Sequence, residues 1–245
     1  SISRHFPNLA ASTEGTNFAS MSTGGLTAIS QIQGLASDAA ISISRHANSG
    51  SGPYLIFSKS RGTALGAVTS VADNDECGTI RFAGADGTDN NSIVAQIQAR
   101  INGTPGSNDM PGELVFSTTA DGAASYTDRM WISAAGYVGI TTAAPTTALH
   151  VTGVITETSM RKTKTNISNM NNMLPSVLQM QGVKFDFKDK KQGQYKDNYG
   201  FIAEDTAKVL PHVVSYNKEG KPEGIQYTKM TAVLLEAIKE QQVQI

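Results

Sequence analysis

The stretch TSMRKTKTNI, residues 158–167, marks the point at which the character of the chain changes. Three cations fall within four positions shortly after Ser159. Seven basic and twelve acidic residues precede Ser159, whereas thirteen basic and nine acidic residues follow from Ser159 to the end. A chain with an overall charge of −1 is therefore acidic in its first part and basic in its last. This asymmetry predicts a domain boundary here.

The composition excludes several classes of protein. A length of 245 residues suits one large or two ordinary domains. The near-neutral charge argues against a nucleic-acid binder or a membrane-surface protein. A single cysteine, Cys77, excludes an internal disulfide framework, and the four histidines lack zinc-ligand spacing, so we expect no metal and no cofactor. No apolar run is long enough to span a membrane, and no signal peptide is visible. Because the sequence starts at Ser1 and ends inside a helical pattern, we expect it to be a fragment of a longer protein.

Up to residue 156, short β-rich runs alternate with turn residues. In the first of them, Ile43 lies between Ser42 and Ser44, which is the period of a strand. Turns every 8–12 residues or so are typical of an all-β region. The runs are AAISISRHA (39–47), GPYLIFSKSRG (52–62), GTIRFAGADG (78–87), SIVAQIQARING (92–103), GELVFSTTADG (112–122), SYTDRMWISAAGYVGI (125–140) and TALHVTGVIT (147–156).

Large apolar residues are scarce in this region, where Ala, Ser and Thr dominate. A monomer of this composition buries little apolar surface, so we predict an intertwined homotrimer; a monomeric β-sandwich is the alternative. We place a mainly β domain at residues 1–140 and a connecting strand or linker at 141–158.

From Ser159 onwards the pattern is that of an α+β domain, residues 159–245, ending in a long helix. NISNMNNMLPSVLQM (166–180) has helical spacing around Pro175, GVKFDFKD (182–189) reads as a strand, and YGFIAEDTAKVLPHVVSY (199–216) as strand, helix and strand. In the last helix four residues follow steps of four, three and four, the spacing of a coiled-coil seam. They are Leu234, Ile238, Gln241 and Ile245. An ordinary amphipathic helix packed on its own domain is the alternative.

Residues 159–245 resemble the intramolecular chaperone at the C-terminus of bacteriophage endosialidase tailspikes, tail fibres and neck appendages, a self-cleaving serine peptidase domain. That family opens with Ser, then a Lys and Asn-Ile, which Ser159, Lys164 and Asn166 match, although MRKT stands where the family has an acidic residue and Arg-Leu. YGFIAEDTAKVLPHVV and IQYTKMTAVLLEAIKEQ match its later motifs. The motif positions are Asn166, Gly200, Ala203, Glu204, Pro211, Tyr227 and Glu240.

The resemblance implies cleavage between Thr158 and Ser159, with Ser159 as nucleophile and Lys164 as base. A serine hydroxyl is a weak nucleophile without a base, and a lysine can act as one only when neutral, which requires burial or nearby cations. Residues five apart lie about 140° apart on a helix and on opposite faces of a strand. A bend, or a lysine from another subunit, must therefore bring the two side chains together.

The resulting hypothesis is the distal part of a phage tail fibre whose chaperone domain drives trimerisation and then cuts itself off. Expected partners are further copies of the chain, other tail or virion proteins and a host cell-surface glycan, with synthesis in the host cytoplasm and a final place in the virion. The alternatives are a receptor-binding fibre tip with a retained chaperone, and a polysaccharide-degrading spike, for which the sequence lacks paired catalytic carboxylates. Trp131 and Tyr137 could stack on a sugar, although packing explains them better.

Overall fold

The computed structural model describes residues 22–23, 26–27, 42–189 and 195–245, and the chain divides into two compact units, 1–144 and 145–245. The described part is mostly β with a few helices and ends in a long helix, as the sequence predicts. Two short antiparallel strands, β1 (Ser22–Thr23) and β2 (Leu26–Thr27), come first.

The first unit is built around an antiparallel meander in which each strand pairs with the next. Hairpins fit the sequence because Gly and Asn residues with positive φ, such as Gly87 and Gly122, supply the turns between alternating strands. The strands are β3 (Glu76–Gly84), β4 (Ser92–Ile101), β5 (Gly112–Thr119), β6 (Tyr126–Ile132) and β7 (Val138–Ile140).

The two faces of this sheet differ in polarity. The register sets Ile80 opposite Ile97 and Ile97 opposite Phe116, so one face carries a row of apolar side chains, yet Ile80 is 44% exposed. The other face is more buried and mixes polar with apolar side chains, with Gln98 and its cross-strand neighbour Val115 only 3% and 0% exposed. An apolar face left open in a single chain indicates a surface that needs a further layer.

Two of the runs predicted as strands do not form them. Residues 42–47 and 52–62 have no strand pairing in the single chain, and residues 39–41 lie outside the described residues. Alternation favours an extended backbone, but a strand also needs a hydrogen-bonding neighbour. The second of these runs is instead tied to the sheet by Arg61, whose Nε and Nη2 donate to the Asp75 carboxylate at 2.7 and 2.9 Å.

The second unit is α+β. After β8 (Leu149–Val151) come a 3-10 turn at Arg161–Thr163, helix α1 (Met173–Gln179), and the antiparallel pair β9 (Val183–Phe185) and β10 (Asn198–Gly200). Helix α2 (Ala203–Val209), a 3-10 turn at Pro211–Val213, the pair β11 (Val214–Tyr216) and β12 (Pro222–Ile225), and helix α3 (Tyr227–Gln244) complete it.

Helix α1 starts later than the sequence pattern predicts. Asn172 adopts a left-handed conformation, with φ of 59°, so the helix begins only at Met173 and leaves Ile167 and Met170 outside it. Pro175 then lies in the first turn, where its missing N–H breaks no helical hydrogen bond.

One face of α3 forms the core of the second unit. Met230, Val233 and Ala237 follow steps of three and four and are each at most 4% exposed. They contact α1 and the segment after α2, in a cluster that contains Leu210, Val213, Val214, Met230 and Val233. The predicted seam residues Leu234 and Ile238 lie on the exposed side of the helix. Packing on its own domain is thus observed, and self-association along the seam stays a prediction.

Because Met230 is 4% exposed inside this cluster, we expect Met230→Ala to leave a cavity and lower the free energy of unfolding of the second unit by about 2–5 kcal/mol. The matched control is Met160→Ala, since Met160 is 48% exposed and its truncation is expected to cost less than about 0.5 kcal/mol. Chemical denaturation followed by circular dichroism measures both. Equal effects of the two substitutions would contradict the placement of the core.

Candidate active site

The 3-10 turn Arg161–Thr163 bends the chain just after Ser159, where the sequence changes from acidic to basic. Thr163 N donates to Met160 O at 3.1 Å, and its Oγ1 donates to the same carbonyl at 2.8 Å, which closes the turn. The bend brings Lys164 back beside Ser159, and Lys164 Nζ donates to Ser159 Oγ at 2.5 Å. The structure therefore brings the predicted nucleophile and the predicted base together within one chain. Their catalytic role stays a prediction.

This pair has the contact that a serine nucleophile and a lysine base require, but not their surroundings. A base must lie within hydrogen-bond reach of the proton that it takes, and Nζ does so. Thr158, Ser159 and Lys164 are all exposed in the single chain. A lysine stays protonated in water, so the pair needs a desolvating cover that this chain alone does not supply.

Asn166 follows the pair and adopts a left-handed backbone with φ of 53°. Asparagine tolerates this region better than most residues because its short polar side chain bonds locally. Asn166 is exposed. The structure thus gives this motif position a backbone role, redirecting the chain just after Lys164.

Gly200 and Tyr227 meet where β10 ends and α3 begins. A Cβ at residue 200 would overlap Tyr227 Oη and lie 3.2 Å from Phe185 Cε1. Tyr227 Oη accepts a hydrogen bond from Phe201 N at 3.3 Å, and the rings of Phe201 and Tyr227 lie 6.3 Å apart. Glycine at this position therefore lets the tyrosine fix the start of α3 against the sheet.

Ala203, Glu204 and Pro211 belong to the α2 region. Ala203 begins α2 and packs partly buried against the core, while Glu204 lies exposed in the first helical turn, where a negative charge is favourable. Pro211 starts the following 3-10 turn and ends the helix. These positions shape α2 and the turn that follows it.

Glu240 has a role that the sequence did not reveal. From the last turns of α3 its Oε1 accepts a hydrogen bond from Met173 N at 3.0 Å, and its Oε2 accepts one from Leu174 N at 2.9 Å. The carboxylate thereby caps α1, whose Asn172 makes no side-chain cap. The Leu174 amide first, and then the Met173 amide, hold the pKa of Glu240 below its ordinary value. A partner more than sixty residues away leaves no signal in local sequence.

The described residues also bear on a metal site, a membrane-spanning helix and a ring that could stack on a sugar. Within the described ranges, no three His, Cys, Asp or Glu side chains are grouped so that they could hold a metal ion. None of the described helices is both long and apolar enough to cross a bilayer. Trp131 is 8% exposed, so its ring is packed and not presented to a sugar.

Gly200→Ala is expected to lower the free energy of unfolding by about 1–3 kcal/mol, because the added methyl group displaces Tyr227 and Phe185. Adding Tyr227→Phe removes the overlapping oxygen and should recover part of that loss. Denaturant midpoints of the single and double variants measure the effect. If Tyr227→Phe recovers nothing, the proposed contact does not account for the glycine.

The Glu240 cap predicts a pH dependence. Since the folded pKa lies below the ordinary value of 4.5, the cap contributes its full stability above about pH 5 and loses it as the pH falls through the lowered pKa. Glu240→Gln should therefore melt at a lower temperature than wild type at pH 7, and the difference should vanish in strong acid. The control Glu236→Gln removes only the pair with Lys239 at 2.8 Å and should change little. A difference that persists unchanged at low pH would refute the cap.

Comparison with known proteins gives similar solved structures and a family match. The similar structures include the carboxy-terminal domain of the bacteriophage T5 L-shaped tail fibre with its intramolecular chaperone domain, at 12% identity and a TM-score of 0.41, covering 86% of this chain and 64% of that chain. They also include the carboxy-terminal domain of the same fibre, at 10% identity and a TM-score of 0.42, covering 76% of this chain and 73% of that chain. This chain therefore spans less than two thirds of the length of the first. No curated protein matches the chain. The family profile described as chaperone of endosialidase matches residues 159–215, which agrees with the sequence resemblance over that segment.

Proposed function

We propose that this chain is the distal part of a phage tail fibre, and that its C-terminal domain drives trimerisation and folding and then releases itself by cleavage between Thr158 and Ser159. The observation that carries the proposal is the 2.5 Å contact between Lys164 Nζ and Ser159 Oγ, at the start of the segment that matches the chaperone family. The nucleophile and base of the proposed reaction are thus adjacent at the proposed cleavage site.

The reaction follows from the position of Ser159. Its Oγ attacks the carbonyl carbon of Thr158 while neutral Lys164 takes the hydroxyl proton. The C–N bond between the two residues breaks, the lysine returns the proton to the leaving nitrogen, and Thr158 is held as an ester on Ser159. Water then hydrolyses the ester, which leaves a carboxylate on Thr158 and a free hydroxyl and amino group on Ser159.

Assembly supplies what the single chain lacks. Ser159 and Lys164 are exposed, and a neutral lysine requires removal from water. Helix α3 presents Leu234 and Ile238 on its exposed side, at 43% and 61% exposure, so it can pack against other copies. We propose that association along this side covers the pair and starts cleavage, so that only assembled chains are cut.

The β-rich region explains why such a domain is needed. Its sheet leaves Ile80, Phe82 and Leu114 more than 40% exposed, so other copies must cover this face. Pairing across three chains is non-local, slow and prone to aggregation. A C-terminal domain that trimerises first holds the chain ends together and raises their effective concentration. Cleavage afterwards leaves the fibre kinetically trapped.

In this account the protein is made in the host cytoplasm and ends in the virion as a tail fibre or appendage. Its partners are two further copies, other tail or virion proteins and a host cell-surface glycan. A second candidate function is a receptor-binding fibre tip that keeps its chaperone. The exposure of residues 158–167 favours it, because an uncovered pair does not cut.

The cleavage proposal predicts two fragments from the wild-type chain, 1–158 and 159–245, and one intact chain from Ser159→Ala or Lys164→Met. The matched control is Lys162→Met, which removes a cation from the same turn without touching Ser159 and should still be cut. Denaturing electrophoresis and intact mass spectrometry measure the products. A single full-length wild-type band in assembled protein would support the retained chaperone instead.

The assembly proposal predicts that Leu234→Ser combined with Ile238→Ser prevents trimerisation and leaves the fold of the second unit intact. The control Leu178→Ser alters an equally apolar side chain that is 76% exposed and belongs to α1 instead of α3. Sedimentation velocity and circular dichroism measure the two properties. A double variant that still forms trimers would show that α3 does not supply the interface.

A further inference from the structure

The segment that follows the Ser159–Lys164 pair is attached to α3 at its far end. Residues 168–171 line a groove of about 450 Å³ whose other wall is formed by Ala232, Leu235, Glu236 and Lys239 of α3. Two residues later, Met173 N and Leu174 N donate to the two carboxylate oxygens of Glu240. The chain thus leaves the pair, runs beside α3 and is fixed there by one side chain.

This attachment is short and specific. Two parallel hydrogen bonds to one carboxylate fix both position and direction, and charged acceptors make stronger bonds than neutral ones. Asn172 turns the chain in the left-handed region immediately before these amides, so their orientation sets where the preceding residues go. The residues from Ser159 to Asn172 are all exposed, so burial does little to hold them in place.

We infer that Glu240 is a positioning residue for self-cleavage: through the amides of Met173 and Leu174 it fixes the segment that carries Ser159 and Lys164 to the helix that presents the assembly surface. This inference rests on the proposed self-cleavage. Because Leu234 and Ile238 belong to the same helix as Glu240, seating of α3 in an assembly is transmitted directly to the segment. The fold thereby couples association to alignment of the pair.

The test compares first-order cleavage rates of the full chain in wild type, Glu240→Gln, Glu240→Asp and the control Glu219→Gln, which removes an exposed ion pair with Lys221 away from the groove residues, at a temperature well below every melting transition. Glutamine presents an N–H to one of the two amide donors and so loses one bond. Misplacement by about 1 Å can slow a reaction on the order of 100-fold, so we expect Glu240→Gln to cut at least about ten-fold more slowly than wild type. Aspartate keeps the carboxylate and should recover part of the rate, and Glu219→Gln should match wild type.

Circular dichroism, sedimentation and amide hydrogen exchange are measured on each of these variants combined with Ser159→Ala, which prevents cutting. Slow cleavage in a folded assembly, together with faster exchange at Met173 and Leu174, supports positioning, because a role in stability alone would not slow the reaction where every variant is folded. A wild-type rate in folded Glu240→Gln overturns the inference and leaves the proposed function intact. Failure of both Glu240 variants to fold also overturns it, since Glu240 would then serve the fold. Absence of cleavage in assembled wild type overturns the proposed cleavage and this inference together.

Discussion

The second unit depends on two contacts of helix α3, an apolar cluster and a carboxylate that caps α1. Met230 and Val233 are inserted among Leu210, Val213 and Val214, and this buried cluster holds α1 and the segment after α2 to the helix. At the other end of α3, Glu240 accepts hydrogen bonds from the amides that begin α1. Burial of apolar surface supplies the stability, whereas the carboxylate supplies a fixed orientation for the chain that arrives from Ser159.

A further side of α3, outside this cluster, carries exposed apolar residues. Leu234 and Ile238 lie there, next to the buried stripe and not part of it. The sheet of the first unit shows the same property, since Ile80 and Leu114 are exposed on its apolar face. Each unit therefore carries apolar surface that a single chain does not bury, which is the physical basis of the proposed trimer.

Sequence reasoning succeeded where the determining contacts are local. Alternation and turn residues located β4 and β5, because a hairpin needs only neighbouring residues. The spacing of Ser159 and Lys164 left two ways to join them, a bend or a lysine from another subunit, and the structure of the single chain has the bend. It was wrong for residues 42–47 and 52–62, whose extended pattern finds no strand partner in the single chain. It placed the start of α1 too early because nothing in the periodicity reveals the left-handed Asn172. The role of Glu240 depends on a partner distant in sequence, so only the structure shows it.

The central claim is that the Ser159–Lys164 pair becomes reactive only when copies of the chain come together. The most direct measurement is refolding of the full chain at a series of concentrations, with cleavage and oligomeric mass followed in the same samples. The account predicts that cleavage appears after the trimer, that its delay shortens as the chain concentration rises, and that remaining monomer is uncut. Cleavage of isolated monomer at a rate independent of concentration would contradict it.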